Sequence, residues 1–173
     1  MRALADSLVS TGLAAAGFRT LNIDAGYLIH ERHPVTRRLQ VNATKFPHGM
    51  RAVADYLDAK GLGLGVYTDH GNGSCGSGPG SFGYYDLDAQ TFADWHVSYL
   101  KVDFCGTHPS PGVPSFADWM DPVQQLRRWQ ELRDALNRTG RPIYYSICPH
   151  GKPPATGPSE PWYNFHFFCV TFP

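Results

Sequence analysis

Lys101-Val102-Asp103-Phe104-Cys105 closes an apolar run and sets an ammonium and a carboxylate two residues apart. On a β-strand that spacing sends both side chains to one face. A carboxylate and an ammonium ending a strand that follows a helix suit an α/β active site, where the cation favours the ionised acid. For two such residues taken alone, a surface ion pair is the commoner outcome. The rest of the chain shifts that balance. Each further strand candidate also ends on a polar or reactive side chain: Asp24, Tyr67 with Asp69, and Cys148.

Four segments are expected as strands, over 18–24, 62–69, 97–103 and 142–148. Val97, Tyr99, Leu100 and Val102 give the third its strand character. A helical pattern precedes each strand, over 3–16, 48–60, 85–95 and 121–138. In the second helix Met50, Val53, Ala54 and Leu57 recur at helical spacing, with Pro47 at its first turn and Gly61 closing it. In the fourth, Asp121 is the cap, Pro122 follows it, and Gly140 lies just past the end. Helices alternating with almost wholly apolar strands predict a parallel sheet covered on both faces. Two architectures remain, a doubly wound sheet or part of a (β/α)8 barrel. Chemistry at the C-terminal ends of the strands favours the barrel. No Gly-rich phosphate loop follows the first strand, which argues against a nucleotide fold. The stretches HGNGSCGSGPGS at 70–81 and 106–118 are expected as long loops at that same end, where a barrel builds its pocket.

The 173 residues amount to one domain or to part of a larger one. Zero net charge without a basic patch argues against nucleic acid as a partner. No apolar run is long enough to span a membrane. Nine Tyr, ten Phe and four Trp suit a core first and a sugar-stacking cleft second, and Phe92, Trp95, Trp119 and Trp129 are read as packing residues. The Ala- and Leu-rich start is broken by Asp6 and reads as an amphipathic helix, so no signal peptide is expected within the chain. Sequons at Asn42, Asn72 and Asn137 lean toward secretory passage. The eight histidines are scattered, without the spacing of a zinc site. Most are read as surface or loop residues, and no metal is expected.

Three stretches carry a resemblance: RLQVNATKFPHGMRAVADYLDAKGLGLGVYTD at 38–69, PGSFGYYDLDAQTFADWHVSYLKVDFC at 79–105, and ALNRTGRPIYYSIC at 135–148. The chain resembles the α-galactosidases (melibiases) of glycoside hydrolase family 27, which also includes α-N-acetylgalactosaminidases. The similarity runs from residue 1 to about 148. It implies a (β/α)8 TIM barrel, of which about half is present over 1–148, and a divergent or mis-joined tail over 149–173. It implies a retaining glycoside hydrolase that releases terminal α-D-galactose. Asp103 matches the nucleophile, which forms a covalent galactosyl-enzyme. Asp24 and Lys101 match residues that bind sugar hydroxyls, and Tyr67 matches a tyrosine that contacts the sugar near the nucleophile. Cys75 and Cys105 match a disulfide that pins the Gly-rich loop beside the nucleophile strand. No cofactor is implied. A homodimer through the full-length protein and a secreted, lysosomal or vacuolar location are compatible with the family.

The chain also departs from the family pattern. The second of two adjacent aspartates is Ala25, and the following cysteine and tryptophan are Gly26 and Tyr27. A ligand-binding glutamate after the fourth strand is Pro149. The acid/base aspartate has no counterpart here and is expected beyond the end of the chain. Cys148 and Cys169 have about the separation of a second family disulfide, in poorly matching surroundings. Two alternatives stand beside α-galactosidase: a non-catalytic galactose-binding relative, and an α-N-acetylgalactosaminidase.

Overall fold

The computed structural model describes residues 1–75, 78–104, 121–148 and 169–170. The elements alternate. Helix α1 (Arg2–Ser10) leads to β1 (Thr20–Ile23), α2 (Gly49–Asp58) to β2 (Gly63–Asp69), α3 (Tyr85–Asp94) to β3 (Val97–Asp103), and α4 (Pro122–Arg138) to β4 (Tyr144–Ile147). A two-residue strand, β5 (Cys169–Val170), adds to β4 in the antiparallel sense. Strands β1 to β4 are parallel, and their order in the sheet is their order in the chain. A doubly wound sheet reverses its strand order at a switch point. No reversal occurs over these strands, so the helices stack on one face, as on the outside of a barrel.

Periodicity explains the elements. In α2 the buried residues are Met50, Ala54 and Leu57, three of the four expected from spacing. Helix α4 begins as its sequence predicts. The Asp121 carboxylate accepts from the N–H groups of Val123 and Gln124 at 2.8 and 3.0 Å, and such a cap contributes about 1 kcal/mol. Gly61 and Gly140 end their helices with φ of +70° each, a conformation that glycine adopts without a Cβ clash. Helix α1 is shorter than expected, with turns from Thr11 to Gly17. Pro47 precedes α2 rather than entering its first turn.

The strands are not uniformly apolar, and the pleat sorts them. Register pairs Leu21 with Leu64, Val66 with Leu100, and Leu100 with Tyr145. These residues are buried on the face that the helices cover. Burying each large aliphatic side chain contributes about 1.5–3 kcal/mol. The opposite face carries Asn22, Gly65, Tyr99 and Tyr144 in one row, then Tyr67, Lys101 and Ser146, then Asp69 and Asp103. Such an inward row suits a barrel that holds a ligand at its C-terminal mouth. Gly65 is required in the first row. A Cβ there would lie 2.6 Å from Asn22 Oδ1 and 3.1 Å from the Tyr99 ring.

Phe92 is fully buried and Trp129 nearly so, as expected of packing residues. Trp119, Cys105 and the loop 106–118 lie outside the described residues, as does the tail from 149 except Cys169 and Val170.

Candidate active site

Asp103 is the last residue of β3, and parallel pairing sets it beside Asp69 of β2. Its side chain is 8% exposed. Oδ1 accepts from its neighbour's N–H, Phe104, at 2.9 Å, which fixes the carboxylate's rotation. Oδ2 lies 3.9 Å from Lys101 Nζ. The expected same-face placement of Lys101 and Asp103 is therefore present.

Lys101 is shared rather than dedicated to Asp103. Its Nζ donates to Asp24 Oδ2 at 2.7 Å, across 77 residues of sequence. The Asp24 Oδ1 accepts from Ala25 N–H at 2.8 Å. Burial works against the Asp24 carboxylate, but Lys101 and the Ala25 N–H outweigh it and hold its pKa below 3.8. Burial likewise opposes the Lys101 ammonium, and Asp24, with help from Asp103, raises its pKa above 10.5. The pair is thus ionised on both sides at neutral pH. Its Asp24 side is 58% exposed and its Lys101 side 28%, so polar atoms remain available to a ligand.

Tyr67 pairs with Lys101 in register, and the ammonium lies 5.2 Å from the centre of its ring. Burial and the surrounding carboxylates push its hydroxyl well above the ordinary tyrosine range. A neutral phenol results, and its oxygen accepts from Cys75 N–H at 3.2 Å. Cys75 is disulfide-bonded. Its expected partner, Cys105, lies outside the described residues. The bond ties the Gly-rich loop down next to the tyrosine. Tyr27 is buried and donates to the Tyr67 carbonyl at 2.8 Å.

Two residues at this end were not assigned a role by sequence reasoning. Cys148 follows β4, its N–H donates to Val102 O at 2.8 Å, and it is a free thiol. It follows Ile147, which pairs with Val102, so it lies at the same strand end as Asp103. Burial first, and the nearby Asp103 charge second, raise its pKa, so the thiol stays protonated. Its sequence signals were the strand end and a spacing to Cys169 like that of a second family disulfide, and the free thiol rules that pairing out for Cys148. His70 is the second. It was read with the surface and loop histidines, yet it is completely buried. Its ring centre lies 4.7 Å from Phe104 and 4.0 Å from Trp129. Its N–H donates to Asp103 O and its carbonyl accepts from Tyr85. The backbone that carries the candidate nucleophile therefore rests on an aromatic floor.

One cluster has potential metal ligands among the described residues: Asp55, Asp58 and His96, whose ligand atoms lie within 4.8 Å of one another. It sits at the N-terminal end of β3, remote from Asp103. Both carboxylates are exposed, and Asp55 is already paired with Arg51 at 2.7 Å.

Together, Asp24, Tyr67, Lys101 and Asp103 form one polar patch at the C-terminal ends of three adjacent strands. A buried carboxylate beside a shared ammonium, a neutral phenol and a half-exposed second carboxylate can bind vicinal hydroxyls and attack an electrophilic carbon. Comparison with known proteins shows the family. Residues 1–155 match the family model described as alpha galactosidase A. The chain belongs to the alpha-galactosidase A family. It is 44% identical over 144 residues to human alpha-galactosidase A, covering 83% of this chain and 30% of the relative. Against alpha-galactosidase A of Cellvibrio japonicus it is 37% identical over 162 residues, covering 94% and 35%. The solved alpha-galactosidase of Saccharomyces cerevisiae superposes with a TM-score of 0.74 at 33% identity, over 86% of this chain and 30% of that one. The chain thus spans about a third of the length of the curated relatives it matches. Members of the family are glycosidases, and the parallel unit β1–β4 with its helices is a part of their (β/α)8 barrel.

Proposed function

We propose that this chain supplies the nucleophile and part of the galactose-binding surface of a retaining α-galactosidase. The observation that supports it most is the Asp103 carboxylate, held nearly buried on the inward face of the sheet with Lys101 and Asp24 beside it. In this reading Asp24 and Lys101 bind ring hydroxyls as charged partners. Asp103 attacks the anomeric carbon, and the departing oxygen needs a proton from a second carboxyl group about 5 Å away. That donor is the part of the site which this chain is not proposed to supply. Ala25 offers no acceptor where the resembling family has a second aspartate. One charged hydrogen bond contributes about 1.5–3 kcal/mol, so its loss weakens sugar binding by roughly one to two orders of magnitude. The Cys75 disulfide and the three sequons support a secretory route for the protein.

The division of labour gives a direct test. Fluoride leaves from a glycosyl fluoride without protonation, whereas an alkyl galactoside needs the acid. Incubation of the 173-residue chain with 5-fluoro-α-D-galactosyl fluoride should form a glycosyl ester on Asp103, read by intact mass and peptide mapping. Methyl α-D-galactoside should not be turned over. The Asp103→Asn variant should not be labelled. Absence of labelling in the unaltered chain, or labelling on another residue, overturns the assignment.

A further inference from the structure

Between β1 and α2 the chain folds back on itself. Ile29 N–H donates to Gln40 O, Asn42 N–H to Tyr27 O, and His33 N–H to Arg38 O. Leu28 bridges Val41 in the antiparallel sense. The result is a narrow hairpin whose base continues from Asp24 and whose far end carries Arg32, Arg37 and Arg38. That end rests on α3. Arg37 donates to Tyr84 Oη, and Arg38 pairs with Asp94 at 2.8 Å.

Arg32 differs from its neighbours because it is buried. Its side chain is 6% exposed and that of its partner, Asp88, is 0%. The guanidinium grips both carboxylate oxygens of Asp88 as a fork. It also donates to Gly80 O at 2.8 Å and lies 4.1 Å from the centre of the Tyr84 ring. Gly80 belongs to the Gly-rich loop and has no room for a side chain, since a Cβ there would stand 2.0 Å from Gly71 O. Ser81, the residue after Gly80, is fixed to β2 by its N–H, which donates to Asp69 O at 2.7 Å, and by its Oγ, which lies 2.8 Å from Thr68 Oγ1. One buried cation thus joins the hairpin that follows Asp24, the loop whose Cys75 holds Tyr67, helix α3 and strand β2.

We propose that Arg32 is a positioning residue for the sugar site. Its fork on Asp88 and Gly80 sets the Asp24 hairpin and the Gly-rich loop in register, so that the Asp24–Lys101 pair and the Tyr67 hydroxyl address one sugar. The geometry demands a guanidinium. A lysine keeps the charge but cannot hold two carboxylate oxygens and a carbonyl from one plane. Asp103 is anchored separately, on β3 and on the His70 floor. Loss of the fork therefore weakens ligand capture more than it slows attack.

This inference rests on the glycosidase reading above, and the experiment separates the two. The full chain is compared with Arg32→Lys, Asp88→Asn and a surface control, Arg38→Lys. Hydrogen exchange is followed across 71–75 and 78–83, together with the concentration dependence of Asp103 labelling by 5-fluoro-α-D-galactosyl fluoride. Arg32→Lys is expected to speed loop exchange and to raise the half-saturating reagent concentration about tenfold, with the limiting rate changed less than about threefold. Asp88→Asn should behave likewise, and Arg38→Lys should match the unaltered chain. Unchanged loop exchange overturns the joint. Faster exchange with unchanged half-saturation overturns its role in the site. Loss of the cooperative melt in both Arg32→Lys and Asp88→Asn makes the pair a general folding determinant and overturns positioning. If the unaltered chain is not labelled, the glycosidase reading and Arg32's role in a sugar site fall together, while loop exchange still decides whether the joint exists.

Discussion

Lys101 serves two carboxylates at once, and that sharing has consequences that can be titrated. Asp24 is bonded closely and Asp103 more distantly, at 2.7 and 3.9 Å. Because the Asp24 pKa is lowered in the folded chain, the pair is complete above the ordinary carboxylate range. It is lost as pH falls through the depressed pKa of Asp24. Replacing Lys101 by Met removes the cation and keeps the aliphatic stem. Burial then acts alone with the Ala25 bond, and the Asp24 carboxyl midpoint should move up, read by ¹³C-detected NMR titration. A midpoint that stays put would show that Lys101 does not govern Asp24. The same variant should lose at least about tenfold in Asp103 labelling, the worth of one charged hydrogen bond. Much of this patch was legible in the sequence. Asp24, Tyr67, Lys101 and Asp103 each stood at a strand end, and the pleat explains why they meet. The Lys101–Asp24 contact was not legible, because it crosses 77 residues and depends on β1 lying next to β2.

At the scale of elements, hydrophobic spacing located the four parallel strands and four helices, and Asp121, Gly61 and Gly140 marked ends that the structure keeps. Local pattern fails where tertiary register decides. The expectation of strands apolar on both faces missed the inward row, because Tyr, Gly and Ser count as neutral in a hydropathy reading. The irregularity that leaves Ser98 unpaired between the Leu64–Val97 and Gly65–Tyr99 pairs had no sequence signal. The burial of His70 was also invisible, since it opens a Gly-rich loop in the sequence and its floor comes from Phe104 and from Trp129 on α4. That burial predicts acid lability. Desolvation first, and Arg128 second, lower the His70 pKa to about 3 from 6.5. The unfolded chain therefore binds a proton that the folded chain refuses, and stability falls as pH drops from 6.5 toward 3. The slope contributed is about 1.4 kcal/mol per pH unit within that window and vanishes above it. Urea melts between pH 7 and 4 should show His70→Gln with a shallower loss than the unaltered chain. Equal slopes would sink the claim. Gly65→Ala tests the inward row from the other side. Its Cβ would meet Asn22 and Tyr99, and overpacking there should cost about 1–3 kcal/mol in the same melts.

For the whole molecule, the distribution of anchors separates a rigid floor from a tethered rim. Asp103 and Lys101 stand on a sheet whose outer face is covered by aliphatic packing, so the proposed attacking group depends on the core. Asp24 and Tyr67 depend in addition on two loops, one clamped by Arg32 and one tied by the disulfide at Cys75. Breaking a rim anchor and breaking the core should therefore give different signatures. A disulfide stabilises largely by restricting the unfolded chain, typically by about 2–4 kcal/mol. Cys75→Ser should lower the unfolding free energy by about that amount. It should also release the Tyr67 hydroxyl, because the N–H that it accepts from sits on the freed loop. Hydrogen exchange should then rise across 71–75 with β2 and β3 still protected. Reduction of the unaltered chain with dithiothreitol should reproduce both effects. A Cys75→Ser chain that melts as before, with an unchanged loop, would mean that the Gly-rich loop is held by Arg32 and by the Ser81 bonds to β2 without help from the disulfide.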